Sequence, residues 1–214
     1  MISGTSALLL HGLGENPDSY QDLATTLAER QWQVSVPSLI EPHEVSSWTL
    51  TTCTDRIAAS MHGEPTHVIG HSLRAVIALD LVQRHPHLIT SLFLSAPQAR
   101  VPQALLVLQK LVMQLLPEDR VALPGLSKEA LVTVMGSLTH LDLRDGLERI
   151  DRPTTVACGL RDLVNVWAAR TIQTCIPGAA LQLVRGAGHQ WITQRPSLAA
   201  TLIQHHVTRT SSRG

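Results

Sequence analysis

The sequence predicts an α/β protein: a mostly parallel six-stranded sheet with helices on both faces. Three observations carry that expectation. Six short, β-rich apolar runs, at residues 7–10, 33–37, 66–69, 91–95, 154–158 and 181–184, alternate with longer stretches of helical spacing. The chain has 214 residues, 44% of them hydrophobic and 16% charged, which suffices for one well-cored domain without disulfide or metal support. The loops that carry the distinctive glycine, histidine and serine motifs follow strands, and ligands sit beyond the carboxyl ends of the strands in such sheets.

Taken in order, the first run ends at His11-Gly12, and Asp18-Ser19 could cap a helix carrying Leu23, Leu27 and Ala28. The third run leads into a helix over 73–84, with Val76, Ile77, Leu79, Leu81 and Val82 at helical spacing. A further helix, 166–174, is stopped by Pro177-Gly178. Between 97 and 150 no strand pattern occurs. Helical stretches at 101–116, 127–139 and 141–149 read as an insertion between the fourth and fifth strands. The expected organisation is a single domain over 1–214 with a small helical cap or insertion at about 98–150. The tail from 205 to 214 is small and polar and reads as a frayed end, with His205 and His206 exposed.

Composition narrows the partners. The formal net charge is zero, so nucleic acid has no overall basic field to bind. The longest apolar stretch, 104–116, is broken by Gln109, Lys110 and Gln114 and is too short for a membrane span. No basic segment precedes the early leucines, so no signal peptide is expected. Cys53, Cys158 and Cys175 form no framework and read as small hydrophobes in a reducing, cytoplasmic protein.

The strongest motif is Gly70-His71-Ser72-Leu73-Arg74-Ala75, where a strand meets a helix. A serine on so sharp a turn projects its hydroxyl above the sheet, beside the N–H groups at the start of the helix. The second is Leu10-His11-Gly12-Leu13-Gly14 at the end of the first strand. A dinucleotide fingerprint is the competing reading there, but Glu15-Asn16-Pro17 follows with no third glycine. The third is Cys158-Gly159-Leu160-Arg161-Asp162, and the fourth is Arg185-Gly186-Ala187-Gly188-His189, each a strand followed by a glycine-bearing turn. Singly, an Asp after a strand is usually a turn residue and a His is usually on the surface. Their conjunction in this order is what points to chemistry.

Together these motifs resemble the α/β-hydrolase family in its minimal six-strand form, an esterase, thioesterase or lipase type. Gly-His-Ser-Leu is similar to the family's nucleophile elbow, with Arg74 where the family usually has glycine. The resemblance implies Ser72 as nucleophile, His189 as general base and Asp162 as its orienting acid. It also implies an oxyanion hole from the backbone N–H groups of Leu13 and Leu73. A serine hydroxyl needs such a base to attack at neutral pH. The expected substrate is a small-molecule carboxylic ester or thioester, cleaved through an acyl-enzyme on Ser72, with no cofactor and no metal. Non-hydrolytic lyase, cyclase or isomerase chemistry on the same scaffold is the alternative, as is a catalytically silent binding protein.

Around this centre, His11, His71, Arg74 and Trp191 are candidates for the substrate pocket. His67 and His71 are four residues apart, a spacing that suggests metal ligands only on a helix; here they lie across a strand and its turn. For Arg74 the structural expectation is a carboxylate partner, and the functional one is a bidentate donor to an anionic substrate group. The apolar residues between Leu105 and Leu116 cover nearly the whole circumference of a helix. That pattern suits a core helix, a cap over an apolar pocket, or a contact in a homodimer.

Overall fold

The computed structural model describes residues 5–10, 20–37, 48–100, 128–139 and 141–211. Six strands form one sheet: β1 (Ser6–Leu10), β2 (Gln33–Ser35), β3 (Thr66–His71), β4 (Ile89–Ser95), β5 (Thr154–Gly159) and β6 (Ala180–Val184). Their order is β2-β1-β3-β4-β5-β6, and every neighbouring pair is parallel. The helices are α1 (Gln21–Glu29), α2 (Leu50–Ser60), α3 (Leu73–Arg84), α4 (Lys128–Ser137), α5 (Leu163–Cys175), α6 (Trp191–Gln194) and α7 (Pro196–Ser211).

Successive strand residues point to opposite faces, and burial of both faces explains why the central strands are largely apolar. Leu8 and Leu10 of β1 point to one face, and Ala7 and Leu9 to the other. In β4, Leu92 and Leu94 share the first face and Phe93 takes the second. The first face is covered by α2, α3 and α5, with Ile57, Val76, Leu79 and Ile172 among its buried residues. The second is covered by α1, α6 and α7 through Leu23, Leu27, Trp191, Ala200 and Ile203. Each large apolar side chain buried this way contributes roughly 1.5–3 kcal/mol.

The strand order reverses at β1: β2 lies on one side of it and β3 on the other. Diverging connections at such a point leave a crevice at the carboxyl ends of β1 and β3. The motif turn after β3 leaves the sheet there. At the base of the inserted segment, Arg100 and Asp142 form an antiparallel bridge, and the Leu143 N–H donates to the Ala99 carbonyl at 2.8 Å. The chain therefore leaves the sheet after β4 and returns to nearly the same place. The expected helix at 101–116 lies outside the described residues.

Two expectations need correction. The C-terminal tail is helical to Ser211, and α7 docks on α1, where Arg30 reaches Gln204 Oε1 and Thr201 Oγ1 at 3.0 and 3.2 Å. His206 is buried, not exposed. Its Nδ1 pairs with Thr155 Oγ1 at 2.9 Å and its Nε2 with Ser91 Oγ at 2.8 Å, and Ser91 Oγ also meets His67 Nδ1 at 2.7 Å. This polar chain ties α7 to β3, β4 and β5. Of the cysteines, Cys53 and Cys158 are buried as expected of small hydrophobes, whereas Cys175 is exposed. Among the described residues no helix is long and apolar enough to cross a membrane.

Candidate active site

Ser72 stands between β3 and α3 with φ 56° and ψ −125°, a conformation L-residues rarely adopt. Holding it costs about 1–3 kcal/mol, and the surroundings must supply that. Its N–H donates to the Ser95 carbonyl at 2.9 Å, which fastens the turn to β4. Gly70 is obligatory beneath it: a Cβ there would lie 2.7 Å from the Arg74 carbonyl oxygen and 2.8 Å from Ala75 Cα. The steric demand for a small residue thus falls on Gly70, because the backbone of α3, not its side chains, approaches the strand. Leu73 opens α3, so its N–H is among the first-turn donors that have no acceptor within the helix.

The β5 and β6 loops meet over the same end of the sheet. The Leu160 N–H donates to the Val184 carbonyl at 3.0 Å, and the Arg161 N–H to the Ala187 carbonyl at 2.8 Å. Gly159 permits this approach, since a Cβ on it would lie 2.3 Å from the Gly188 carbonyl oxygen. The two loops bring Asp162 and His189 together: His189 Nδ1 lies 2.6 Å from Asp162 Oδ2, and His189 Nε2 lies 3.1 Å from Ser72 Oγ. With Nδ1–H donated to the carboxylate, Nε2 has a lone pair directed at the serine hydroxyl. This arrangement can take a proton from Ser72 and hold the resulting imidazolium against an anion.

Sequence reasoning missed the support behind Asp162. Asn165, one turn into α5 and buried, donates Nδ2–H bonds to Asp162 Oδ1 and Oδ2 at 2.8 and 2.9 Å. Gln98 donates to Asn165 Oδ1 at 2.8 Å, which fixes the amide with its donors toward the carboxylate. Burial pulls the Asp162 carboxyl upward, but hydrogen bonds from His189 and Asn165 outweigh it and hold the group below the ordinary carboxylate value. The Asp162-x-x-Asn165 spacing was the available signal, because residues three apart share a helix face. Gln98 gave none, lying distant in sequence and outside any motif.

The remaining candidates are placed as follows. His71 is buried, with Nδ1 3.1 Å from Ser95 Oγ and its ring centroid 4.9 Å from that of His189. Burial, reinforced by the neighbouring His189, pushes its pKa down to about 3, so the ring is neutral. Arg74 is buried in the first turn of α3, on the α2 side. Burial raises the Cys53 thiol there, and the Arg74 charge works against that rise. Trp191 is fully buried among the residues that join α1, α6 and α7, so its indole packs the core instead of facing an open pocket. His11 and Leu13 lie outside the described residues. No three His, Cys, Asp or Glu side chains among the described residues gather as a metal site.

Comparison with known proteins gives a consistent picture. The family model for the alpha/beta hydrolase fold matches residues 8–120. A pimeloyl-[acyl-carrier protein] methyl ester esterase of Neisseria meningitidis serogroup B, strain H44/76, is 28% identical, over 73% of this chain and 74% of its own. The serogroup C protein of the same name, from strain FAM18, is 32% identical over 45% of this chain and 38% of its own. Among solved structures, a carboxylesterase of Nitrososphaera gargenis superposes with TM-score 0.83 at 15% identity, covering 99% of this chain and 92% of its own. An enol-lactonase from Burkholderia xenovorans LB400 gives 0.81 at 16% identity, covering 96% and 92%. These last two establish likeness of fold.

Proposed function

The chain belongs to the alpha/beta hydrolase family, and from that premise we propose that it is a serine esterase whose nucleophile, base and acid are Ser72, His189 and Asp162. The observation that carries this reading is the relay in which His189 bridges Asp162 at 2.6 Å and Ser72 at 3.1 Å. Ser72 Oγ attacks the ester carbonyl while His189 Nε2 takes its proton. The developing oxyanion is held by the Leu73 N–H and, from the loop after β1, by that of Leu13. The alcohol leaves with the proton returned by His189. Water, activated by the same nitrogen, then releases the acid from Ser72.

The substrate we favour is a carboxylic ester of an acyl chain. The Neisseria relatives are esterases by name, and that supports an oxygen ester over a thioester. We assign the insertion at about 98–150 as a cap beside the site, because its base is closed by the Arg100–Asp142 bridge at the carboxyl end of β4. The absence of a disulfide among the described residues supports a reducing, cytoplasmic setting.

A fluorophosphonate probe tests the reading. It is expected to label Ser72 in the wild type and nothing in Ser72→Ala, which keeps the fold and loses at least about a thousandfold in kcat on a short acyl ester. Retention of more than a tenth of the wild-type rate would exclude Ser72 as nucleophile.

A further inference from the structure

Two buried polar atoms beside the relay have no hydrogen-bond partner among the described residues: Nε2 of His71 and Oε1 of Gln190. They belong to the sequence neighbours of the two reacting side chains, since His71 precedes Ser72 and Gln190 follows His189. Buried polar groups are nearly always paired, so two orphans of complementary kind at one place require a reason. His71 is 1% exposed, and its ring packs against that of His189 at 43°. Burial dominates the low pKa of His71, and a side-chain interaction with Gln190 is among the weaker influences that oppose it. A group that favours protonation of an imidazole acts as an acceptor, so the Gln190 oxygen lies toward the ring.

The other side of the ring is anchored. His71 Nδ1 meets Ser95 Oγ at 3.1 Å, and the carbonyl of the same Ser95 accepts the Ser72 N–H at 2.9 Å. With the ring proton on Nε2, Nδ1 accepts from the Ser95 hydroxyl and an N–H donor faces Gln190. The other tautomer would set a lone pair against the Gln190 oxygen, acceptor against acceptor. Hydrogen bonds around a reacting centre often stand open until substrate tightens it. We infer that His71 is a positioning residue for the proposed ester hydrolysis: it closes an Nε2–H···Oε1 bond to Gln190 as the ester binds, and so holds the His189 loop against the Ser72 turn. The inference rests on the esterase reading above. The path runs from the Ser72 N–H through Ser95, His71 and Gln190 to His189, without using the contact between His189 and Ser72. The spacing of those two side chains is thereby set from both ends, and a misplacement of about 1 Å there costs roughly a hundredfold in rate. His71 touches no reacting atom: the proton still passes from Ser72 to His189 and on to the leaving alcohol.

The experiment is a double-variant cycle on a short acyl ester, with the melting temperature of each variant as the folding control. His71→Phe keeps the ring packing and removes the donor, and Gln190→Leu removes the acceptor. Each is expected to lower kcat roughly tenfold with KM within about twofold of wild type. The double variant should lose little more than either, because the two act through one bond. His71→Gln, whose amide N–H reaches the place of Nε2, should recover most of the loss. A second readout needs no turnover. In nitrogen-15-labelled protein, the His71 Nε2–H proton resonance should move downfield when a fluorophosphonate occupies Ser72, and should stay in place in Gln190→Leu. Losses that multiply to about a hundredfold in the double variant, a change confined to KM, or no loss at all would overturn the positioning role. So would an unmoved resonance in the wild type. If His71→Phe does not fold, Gln190→Leu and the resonance decide the matter. A labelled Ser72 with independent losses sinks the positioning role alone. A wild type that hydrolyses no ester and leaves Ser72 unlabelled sinks the esterase reading, and the positioning role with it.

Discussion

At the level of single residues, Asp162, the acid of the proposed relay, is held from two sides, by His189, the proposed base, and by Asn165. Asp162 receives three side-chain hydrogen bonds, one from His189 and two from Asn165, and Gln98 holds Asn165 in turn. Charge-assisted bonds of this kind contribute about 1.5–3 kcal/mol each. Removing the amide in Asn165→Ala lets burial act with less opposition, so the Asp162 pKa rises. The sign follows from the depressed value: the carboxylate's contribution is present above its pKa and lost as pH falls through it, so the variant loses activity at a higher pH on the acid side. The expected outcome is roughly a tenfold fall in kcat, with KM little changed and the acid limb of the pH–rate profile displaced upward. A lower melting temperature with an unmoved profile would assign Asn165 to folding alone. Gln98→Ala should give a weaker version of the same displacement, and the double variant little more than Asn165→Ala, because the two act in series. Asp162 and His189 were legible in the sequence, whereas Asn165 behind them was not read despite its spacing from Asp162, and Gln98 left no signal. The read helix began at 166, whereas α5 begins at Leu163, and those three residues put Asn165 on a helical turn facing Asp162.

Elements were read unevenly, and the reason is how each buries its surface. The central strands β1, β4 and β5 were legible because both faces of the sheet are covered there, whereas the edge strand β2, Gln-Val-Ser, is exposed at both ends and rested on its short β-rich pattern. α3 was legible for the same reason, being buried from Leu73 through Val82. α2 and α7 were not read. The first presents Thr-Thr-Cys-Thr ahead of Ile57, and it begins on a reciprocal Thr49–Thr52 cap, a weaker signal than Ser or Thr followed by Glu. The second buries Ala199, Ala200, Ile203, His206 and Val207, so only two of its five core-facing residues are strongly hydrophobic and the stripe is faint in the sequence. The loops that carry the site depend on a backbone fit of a different kind. Gly159→Ala would set a methyl against the Gly188 carbonyl, backbone against backbone, with no flexible side chain to yield. Overpacking of that type costs about 1–3 kcal/mol, so unfolding in urea should show a lower midpoint. Activity should fall further than stability does, because the carbonyl displaced lies next to His189. Wild-type kcat in a destabilised protein would show that the His loop tolerates the shift.

For the whole molecule, two buried histidines set the response to acid. His71 and His206 are each pushed down to about 3, chiefly by burial: His71 lies beside His189 and Asp162, and His206 beside His67, His205 and Arg209. An unfolded chain takes up these protons near pH 6.5, and the native one does not. Both folded values are depressed, so the stability they confer is present above about pH 6.5 and drains away as pH falls toward 3, by up to about 1.4 kcal/mol per pH unit for each ring. Urea denaturation between pH 7 and pH 5 should show that decline, and His206→Gln, which can keep both polar contacts, should reduce its slope by about half. An unchanged slope would mean that His206 titrates freely. The sheet topology also governs when the contact between Ser72, the proposed nucleophile, and His189 can arise in time. Ser72 and His189 are 117 residues apart and meet only across the β3–β4–β5–β6 pairings. Helices form within about a microsecond, whereas parallel pairings between distant segments are slow. A refolding chain therefore regains its circular dichroism before its serine becomes reactive. A fluorophosphonate added during refolding would act as a clock for the last step, counting only those molecules in which the β6 edge has closed.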